Sequence, residues 1–174
     1  YYIAKLEEKF EIPYIPTPGY NPEDFYKTYG YSAKLVINNT TDWAAKGGHL
    51  NIVQLMLDKG ADNFNWAMNS AAAGGHRDIV QLMLDKGAND FKRAMKYAAL
   101  RGHIDIVQLM LDKGADNFNE AMSYAALGGH IDIVQLMLDK GANDFKESIS
   151  SAAGNMDIVR LLTDAEKGLG KPVL

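Results

Sequence analysis

Apolar residues recur at helical intervals along most of the chain, in short blocks separated by glycine. Between Phe64 and Ala72 they occupy positions i, i+3, i+4, i+7 and i+8, the spacing of one buried helical stripe. This stripe predicts a first helix, helix A, which Gly74 and Gly75 then break. The next stretch, DIVQLMLDKG at 78–87, is apolar at most of its helical positions. It predicts a second short helix, helix B.

The helix pair recurs with a strict period, equal to the spacing between His49 and His76. Four copies carry a GH-x-x-IVQLMLDKGA block, and the histidines that mark the period are His49, His76, His103 and His130. We expect each histidine to brace the turn of its own repeat. A fifth copy, SAAGNMDIVRLL at 151–162, lacks two residues at the turn and carries Asn155 in place of the histidine. Such degeneration is typical of a terminal repeat, whose outer face meets water.

The residue before each helix-A phenylalanine is a good N-cap, because its side-chain oxygen can accept a free amide of the first turn. The four predicted N-caps are Asn63, Asp90, Asn117 and Asp144. The four-residue sequence that contains each N-cap alternates between DNFN and NDFK from one repeat to the next, which gives a second, longer period of two repeats. Since both orders serve packing and capping equally, we interpret the alternation as a record of duplication in pairs, without a chemical role.

Helix pairs this short bury their apolar surface only by stacking on one another, which predicts a solenoid. The string YAALGGHIDIVQLMLDKGA at 124–142 resembles the AA-x-x-GH-x-x-VV-x-LLL-x-x-GAD core of the ankyrin repeat. The resemblance covers about residues 33–167. It implies an all-α, ankyrin-like helical-repeat solenoid of five helix pairs, whose A helices line a concave face.

Two features depart from the family pattern. The period is shorter than the usual value of about 33 residues, and the usual Thr-Pro-Leu-His start is absent. The missing residues fall before helix A, where ankyrin repeats carry a β-hairpin finger, so short loops are expected there. Shortened repeats of this kind are similar to those of large DNA viruses of protists. That similarity implies a viral protein located inside a host cell.

The resemblance leaves a segment at each end of the chain. Residues 1–32 hold seven of the nine tyrosines and four of the five prolines. We expect them to form an N-terminal capping segment, because the end of a solenoid exposes its core. A tyrosine-rich binding segment is the alternative. Residues 33–167 form the repeats, and residues 168–174 form a C-terminal tail.

Composition narrows the possible functions. The chain of 174 residues has a net charge of −4, which argues against a surface that grips nucleic acid throughout. It has no cysteine, which excludes disulfides and thiolate metal sites and fits a cytoplasmic or other intracellular compartment. No apolar run approaches the roughly 20 residues that a membrane helix needs, so membrane insertion is not expected.

No pattern in the chain points to catalysis. The repeated histidines cannot share one metal ion, because stacked helices lie about 8–10 Å apart and zinc ligands about 2 Å from the metal. The GGH turn joins two helices, so it is not a nucleotide-binding fingerprint. The chain also has no GxSxG nucleophile elbow. We therefore expect no enzyme activity, no cofactor and no metal.

The repeats are nearly identical and differ mainly on the outer face of helix A, where packing does not determine which residue type is present. The third repeat stands out, because Lys92 and Arg93 lie in a first helical turn, where the helix dipole disfavours cations. Tryptophan, tyrosine and arginine are also enriched at binding hot spots. The predicted partner-binding residues are Trp66, Asn69, Lys92, Arg93, Lys96, Tyr97, Arg101, Glu120 and Tyr124.

These observations favour a non-enzymatic scaffold that binds another protein on its helix-A, concave face. Two alternatives stay open. The chain could self-associate as a structural component, end to end. It could also contact nucleic acid through the basic third repeat, with Tyr97 stacking on bases beside Lys92, Arg93, Lys96 and Arg101.

Overall fold

The computed structural model describes residues 33–169, and every regular element in this range is an α-helix. In chain order the helices are α1 (Ala33–Lys46), α2 (Leu50–Asp58), α3 (Phe64–Gly74), α4 (Arg77–Asp85), α5 (Phe91–Arg101), α6 (Ile104–Asp112), α7 (Phe118–Gly128), α8 (Ile131–Asp139), α9 (Phe145–Ser151) and α10 (Met156–Leu169). Odd numbers are the A helices and even numbers the B helices, so that α1 and α2 form the first repeat and α9 and α10 the fifth. The predicted capping segment, residues 1–32, lies outside the described residues, as does the tail from residue 170 onwards.

The helices form A–B pairs that stack in chain order. From α3 to α9, each helix A packs against its own helix B and against the next helix A, whereas successive B helices touch one another little. The core between them contains fully buried side chains such as Met68, Ile79, Met95, Ile106 and Met110. The predicted all-α helical-repeat solenoid is therefore confirmed.

The turn between helix A and helix B contains a left-handed glycine that the next repeat covers. It is the second of a glycine pair in the first, second and fourth repeats and follows Arg101 in the third. Gly102 has a φ of +80°, a conformation that residues with a Cβ adopt at a cost. A Cβ added at Gly102 would lie only 2.5 Å from Cε1 of His130. Nε2 of His130 donates across the turn to the carbonyl of Leu100 at 3.2 Å.

The histidines therefore join neighbouring repeats. His76 likewise donates to the carbonyl of Lys46 at 3.1 Å, and a Cβ added at its own Gly74 would lie 2.6 Å from Cδ2 of its ring. The expectation that each histidine braces its own turn is incomplete. The last carbonyls of a helix lack partners within that helix, and the imidazole of the following repeat supplies a donor.

The predicted N-caps divide into two groups. The aspartates cap as expected, since Asp90 accepts the N–H of Arg93 at 3.4 Å and Asp144 accepts that of Glu147 at 3.3 Å. The asparagines Asn63 and Asn117 make no side-chain cap, so that part of the prediction is wrong. Their amides donate instead to carbonyls of the preceding repeat, those of Asn38 and Lys92, both at 3.1 Å.

The alternation of DNFN and NDFK gives two kinds of contact between repeats. Between the second and third repeats, Oδ1 of Asn65 accepts the backbone N–H groups of Asn89 at 2.7 Å and Asp90 at 3.0 Å. The same two bonds recur one double repeat later, from the N–H groups of Asn143 and Asp144 to Asn119. Both bonds need a side chain that can accept, which asparagine supplies and lysine does not.

The other interfaces use the opposite order. Nζ of Lys92 lies 2.6 Å from Oδ1 of Asp116 in the fourth repeat. At the equivalent place in the first repeat, Nδ2 of Asn38 donates to the Asp62 carboxylate at 2.9 Å and its Oδ1 accepts the Asp62 N–H at 3.1 Å. The interpretation of the alternation as history alone is therefore wrong, because the residue after each phenylalanine matches the loop of the next repeat.

We expect Asn65→Lys to lower the free energy of unfolding by about 1 kcal/mol, because lysine cannot accept the N–H groups of Asn89 and Asp90. Lys92→Asn is the matched control and should cost much less, since Asn38 already fills the equivalent position in the first repeat. Urea denaturation of the two variants measures the difference. Equal losses would contradict the assignment of two kinds of interface.

The fifth repeat is a shortened helix pair. Its helix A, α9, ends at Ser151, and the turn passes through Ala153, which has a φ of +46°. Asn155 occupies the histidine position and accepts the N–H of Ile158 at 3.3 Å, so that it caps α10. The degenerate last copy predicted from the sequence therefore keeps the A–B arrangement.

Candidate interaction surface

The exposed side of the A helices, called the helix-A face below, is where the repeats differ most. In α5 it carries Lys92, Arg93, Lys96 and Tyr97, the second, third, sixth and seventh residues of the helix. Lys92 and Arg93 are exposed, and Lys96 and Tyr97 are half-buried. Contacts from these side chains reach α3 and α7. Side chains of neighbouring repeats therefore form one continuous surface.

Arg93 lies over the indole of Trp66. Its guanidinium carbon is 5.3 Å from the ring centroid, within the range of a cation–π contact. Arg93 also approaches the N-cap of its own helix, since its Nε lies 3.4 Å from Oδ2 of Asp90. Trp66 remains 56% exposed. The structure thus brings these two predicted residues together and leaves much of the ring in contact with solvent.

Lys96 lies between two tyrosines and an acid. Its Nζ is 3.2 Å from Oε1 of Glu120, and the ring centroids of Tyr97 and Tyr124 lie 5.5 Å and 5.1 Å away. Nδ2 of Asn117 donates to Oε2 of Glu120 at 2.9 Å. Although desolvation favours the neutral acid, hydrogen bonds from Asn117 and Lys96 hold the pKa of Glu120 below its usual value. Three predicted residues therefore surround the ammonium group of a fourth.

Lys92 and Arg101 lie at opposite ends of α5. The Lys92 ammonium lowers the pKa of Asp116 through its hydrogen bond and its charge. Arg101 is exposed in the last turn, about 14 Å further along the helix axis. The two cations are therefore too far apart to form one basic patch, and the charge of Lys92 is already paired with that of Asp116.

Asn69 lies in the core and not on the exposed face. It is only 3% exposed, and neither Oδ1 nor Nδ2 has a hydrogen-bond partner among the described residues. At the equivalent position of the fourth repeat, the hydroxyl of Ser123 forms a hydrogen bond at 3.0 Å with the hydroxyl of Ser148 on the next helix A. For Asn69, the residue equivalent to Ser148 is Ala94, which has no polar side-chain group. The expectation of an exposed Asn69 is wrong, because the next helix A covers short side chains at this position. Its role in partner binding stays a prediction.

Asp42 and Trp43 of α1 also belong to this face, although they are not among the predicted partner-binding residues. Trp43 is 56% exposed. Oδ1 of Asp42 accepts a hydrogen bond from Nδ2 of Asn63 at 2.6 Å. Desolvation outweighs that bond and raises the pKa of Asp42 to about 6. Counting back two repeats from Lys96 and Tyr97 locates both positions, but α1 lacks the phenylalanine that marks the other A helices.

The described residues show neither a metal-binding cluster nor a membrane helix. Between residues 33 and 169, no three histidine, aspartate or glutamate side chains are grouped so that they could hold a metal ion. In the same range no helix combines the length and the apolar character needed to cross a membrane.

Comparison with known proteins decides the family. A family model described as ankyrin repeats, in three copies, matches residues 40–94 and 95–171. Together these segments cover well over half of the chain. The chain belongs to the ankyrin-repeat family. No curated protein matches it.

Ankyrin repeats generally mediate protein–protein interaction, and ankyrin-repeat proteins are typically non-enzymatic scaffolds. The ankyrin repeats of this chain are joined by short loops at 59–63, 86–90, 113–117 and 140–144. No strand occurs among the residues that the structure describes. The variable side chains of the helix-A face are therefore carried by helices rather than by loops.

Proposed function

We propose that the protein is a non-enzymatic scaffold that binds another protein through its helix-A face. The observation that carries this proposal is the exposure of both tryptophans of the chain, Trp43 and Trp66, on that face. Tryptophan, tyrosine and arginine are the residue types most enriched at binding hot spots. The exposed indole surface is not used in packing between the repeats, so it is available to a partner.

Charge pairing on the helix-A face supports a protein partner over nucleic acid. Lys92, Arg93 and Lys96 each have a carboxylate oxygen within 3.4 Å. The third repeat therefore presents little net positive charge, despite its basic sequence. Nucleic-acid binding depends on cations that neutralise phosphates and release counterions, and cations already paired with acids serve that purpose poorly.

We expect the triple variant Trp66→Ala, Arg93→Glu, Tyr97→Ala to bind the partner at least about ten-fold more weakly, because it removes hot-spot side chains. The thermal midpoint should change little, since none of the three side chains is fully buried. The whole chain is used to capture proteins from its source cells. Calorimetry then measures the affinity of the identified partner for both chains.

Lys86→Ala is the control for this experiment, because Lys86 is exposed at the end of a helix B. It should leave the affinity unchanged. A triple variant that binds the partner as tightly as the wild-type chain would contradict the proposal.

The same preparation tests the two alternatives. Light scattering over a concentration series would reveal a self-associating structural component. Binding to duplex DNA with a steep dependence on salt would reveal a nucleic-acid contact. A viral source and an intracellular location, which the sequence resemblance implies, stay predictions.

A further inference from the structure

In the third and fourth repeats, the helix-A face surrounds a cation that the chain itself supplies. The ammonium group of Lys96 has two tyrosine rings within 5.5 Å and the carboxylate of Glu120 at 3.2 Å. Aromatic faces combined with a carboxylate are a common means by which proteins hold ammonium and guanidinium groups. In this half of the face the arrangement is complete without a partner.

The first and second repeats carry an altered version of the same arrangement, one double repeat earlier. The equivalent residues are Asp42 for Lys96, Trp43 for Tyr97, and Trp66 for Glu120. The Lys96–Glu120 pair shows that the sixth residue of one helix A faces the third residue of the next. Asp42 and Trp66 occupy the same two facing positions. This half of the face therefore presents an acid and two indoles, and none of the ion pairs among the described residues places a cation on Asp42.

Asp42 has no counter-charge among residues 33–169. Its hydrogen bond comes from the neutral amide of Asn63, and none of the ion pairs in this range includes it. Lys46, one turn further along α1, is not paired with it either. Burial has raised the pKa of this carboxyl because desolvation penalises its charged form. A partly buried carboxylate without a cation gains strongly when a partner supplies one.

We propose that Asp42, Trp43 and Trp66 form a docking site for one lysine or arginine side chain of the partner polypeptide. This inference rests on the proposed function of the helix-A face. The ammonium or guanidinium group donates to the carboxylate of Asp42, and the aliphatic stem lies against the exposed indoles. Arg93, 5.3 Å over Trp66, shows that this indole accepts a cation.

The chemistry of the site selects a basic peptide segment over other occupants. A phosphate would be repelled by the carboxylate. A divalent metal ion would need several oxygen ligands, and no group of acids among the described residues provides them. A lysine or arginine side chain uses both parts of the site, because it combines a cation with an apolar stem.

A display library of random dodecapeptides, selected on the whole chain, tests this inference. We expect the selected peptides to share one position that requires lysine or arginine. Replacing that residue by glutamine should weaken binding to the wild-type chain about ten-fold or more, the size measured for close charge pairs. The same replacement should have little effect on binding to Asp42→Asn, because the charge that it pairs with is absent.

Asp42→Asn also separates binding from folding. Asparagine can still accept the hydrogen bond from Asn63, and it removes a carboxyl whose ionised form is disfavoured by burial at neutral pH. The thermal midpoint of Asp42→Asn at neutral pH should therefore be unchanged or higher. Glu147→Gln, which alters an exposed acid of the fifth repeat, is the matched control and should keep the preference for a basic residue.

The outcomes distinguish this inference from the proposed function. Peptides that require Trp66 but share no basic position would overturn the inference and leave the helix-A face as the binding surface. Peptides that are indifferent to Trp66→Ala, Arg93→Glu and Tyr97→Ala together would count against both. A basic position that couples to Glu147 and not to Asp42, an empty selection, or self-association through Asp42 would each overturn the inference alone.

Discussion

Leu109→Ala is expected to lower the free energy of unfolding by about 2–5 kcal/mol, the cost of the cavity that a buried leucine leaves behind. Leu109 belongs to α6, in the third of the five repeats, and is 8% exposed. In a stack of repeats each unit is stabilised by its neighbours, so damage in the middle weakens interfaces on both sides. Urea denaturation followed by circular dichroism measures the loss.

Leu55→Ala is the matched control, because it makes the same change at the same position of helix B, one double repeat earlier. Leu55 is 50% exposed, so its truncation should cost about 1 kcal/mol or less. Leu82, which is half-buried, should fall between the two. Equal losses at Leu55 and Leu109 would contradict the packing described for the third repeat.

Gly102→Ala is expected to cost about 2–3 kcal/mol, the sum of a backbone cost and a lost contact. The left-handed conformation of Gly102 imposes about 1–2 kcal/mol on a residue with a Cβ. The added Cβ also crowds the ring of His130, 2.5 Å away, and displaces it from the carbonyl of Leu100. The lost hydrogen bond contributes about 1 kcal/mol more. Thermal denaturation measures the sum.

Gly114→Ala separates the two contributions. Gly114 has a φ of +96°, and nothing lies within 4 Å of an added Cβ, so alanine there meets the backbone cost alone. In a His130→Ala background, the cost of Gly102→Ala should fall to that of Gly114→Ala. If the cost of Gly102→Ala is independent of His130, the contact between the repeats does not contribute as described.

Apolar spacing alone predicts where the helices lie. The pattern that begins at Phe64 predicts a helix broken at Gly74 and Gly75, and α3 spans Phe64–Gly74 with a left-handed Gly75 as its C-cap. Helical periodicity reports whether a side chain meets the core of its own repeat. Because the repeats are nearly identical, a prediction made for one holds for most of the others.

Polar side chains were not predictable in the same way, because their partners lie in a different repeat. Asn63 reaches back to Asp42 and Asn38, and His76 to Lys46. A pattern confined to one period cannot show which neighbour a side chain meets. Asn69 resembles an exposed variable residue in sequence, yet the next helix covers it and offers no polar partner.

The two kinds of interface also determine how the array can change in length. Asparagine serves both kinds of loop, as Asn38 and Asn65 show. Removing the fourth repeat alone would instead set Lys92 against an Asn-Asp loop, whose backbone N–H groups lysine cannot accept, and would break a matched contact. Inserting a further copy of residues 62–115 after residue 115 preserves every such contact, because each new junction repeats an existing one. The natural module for extending this scaffold is therefore the double repeat.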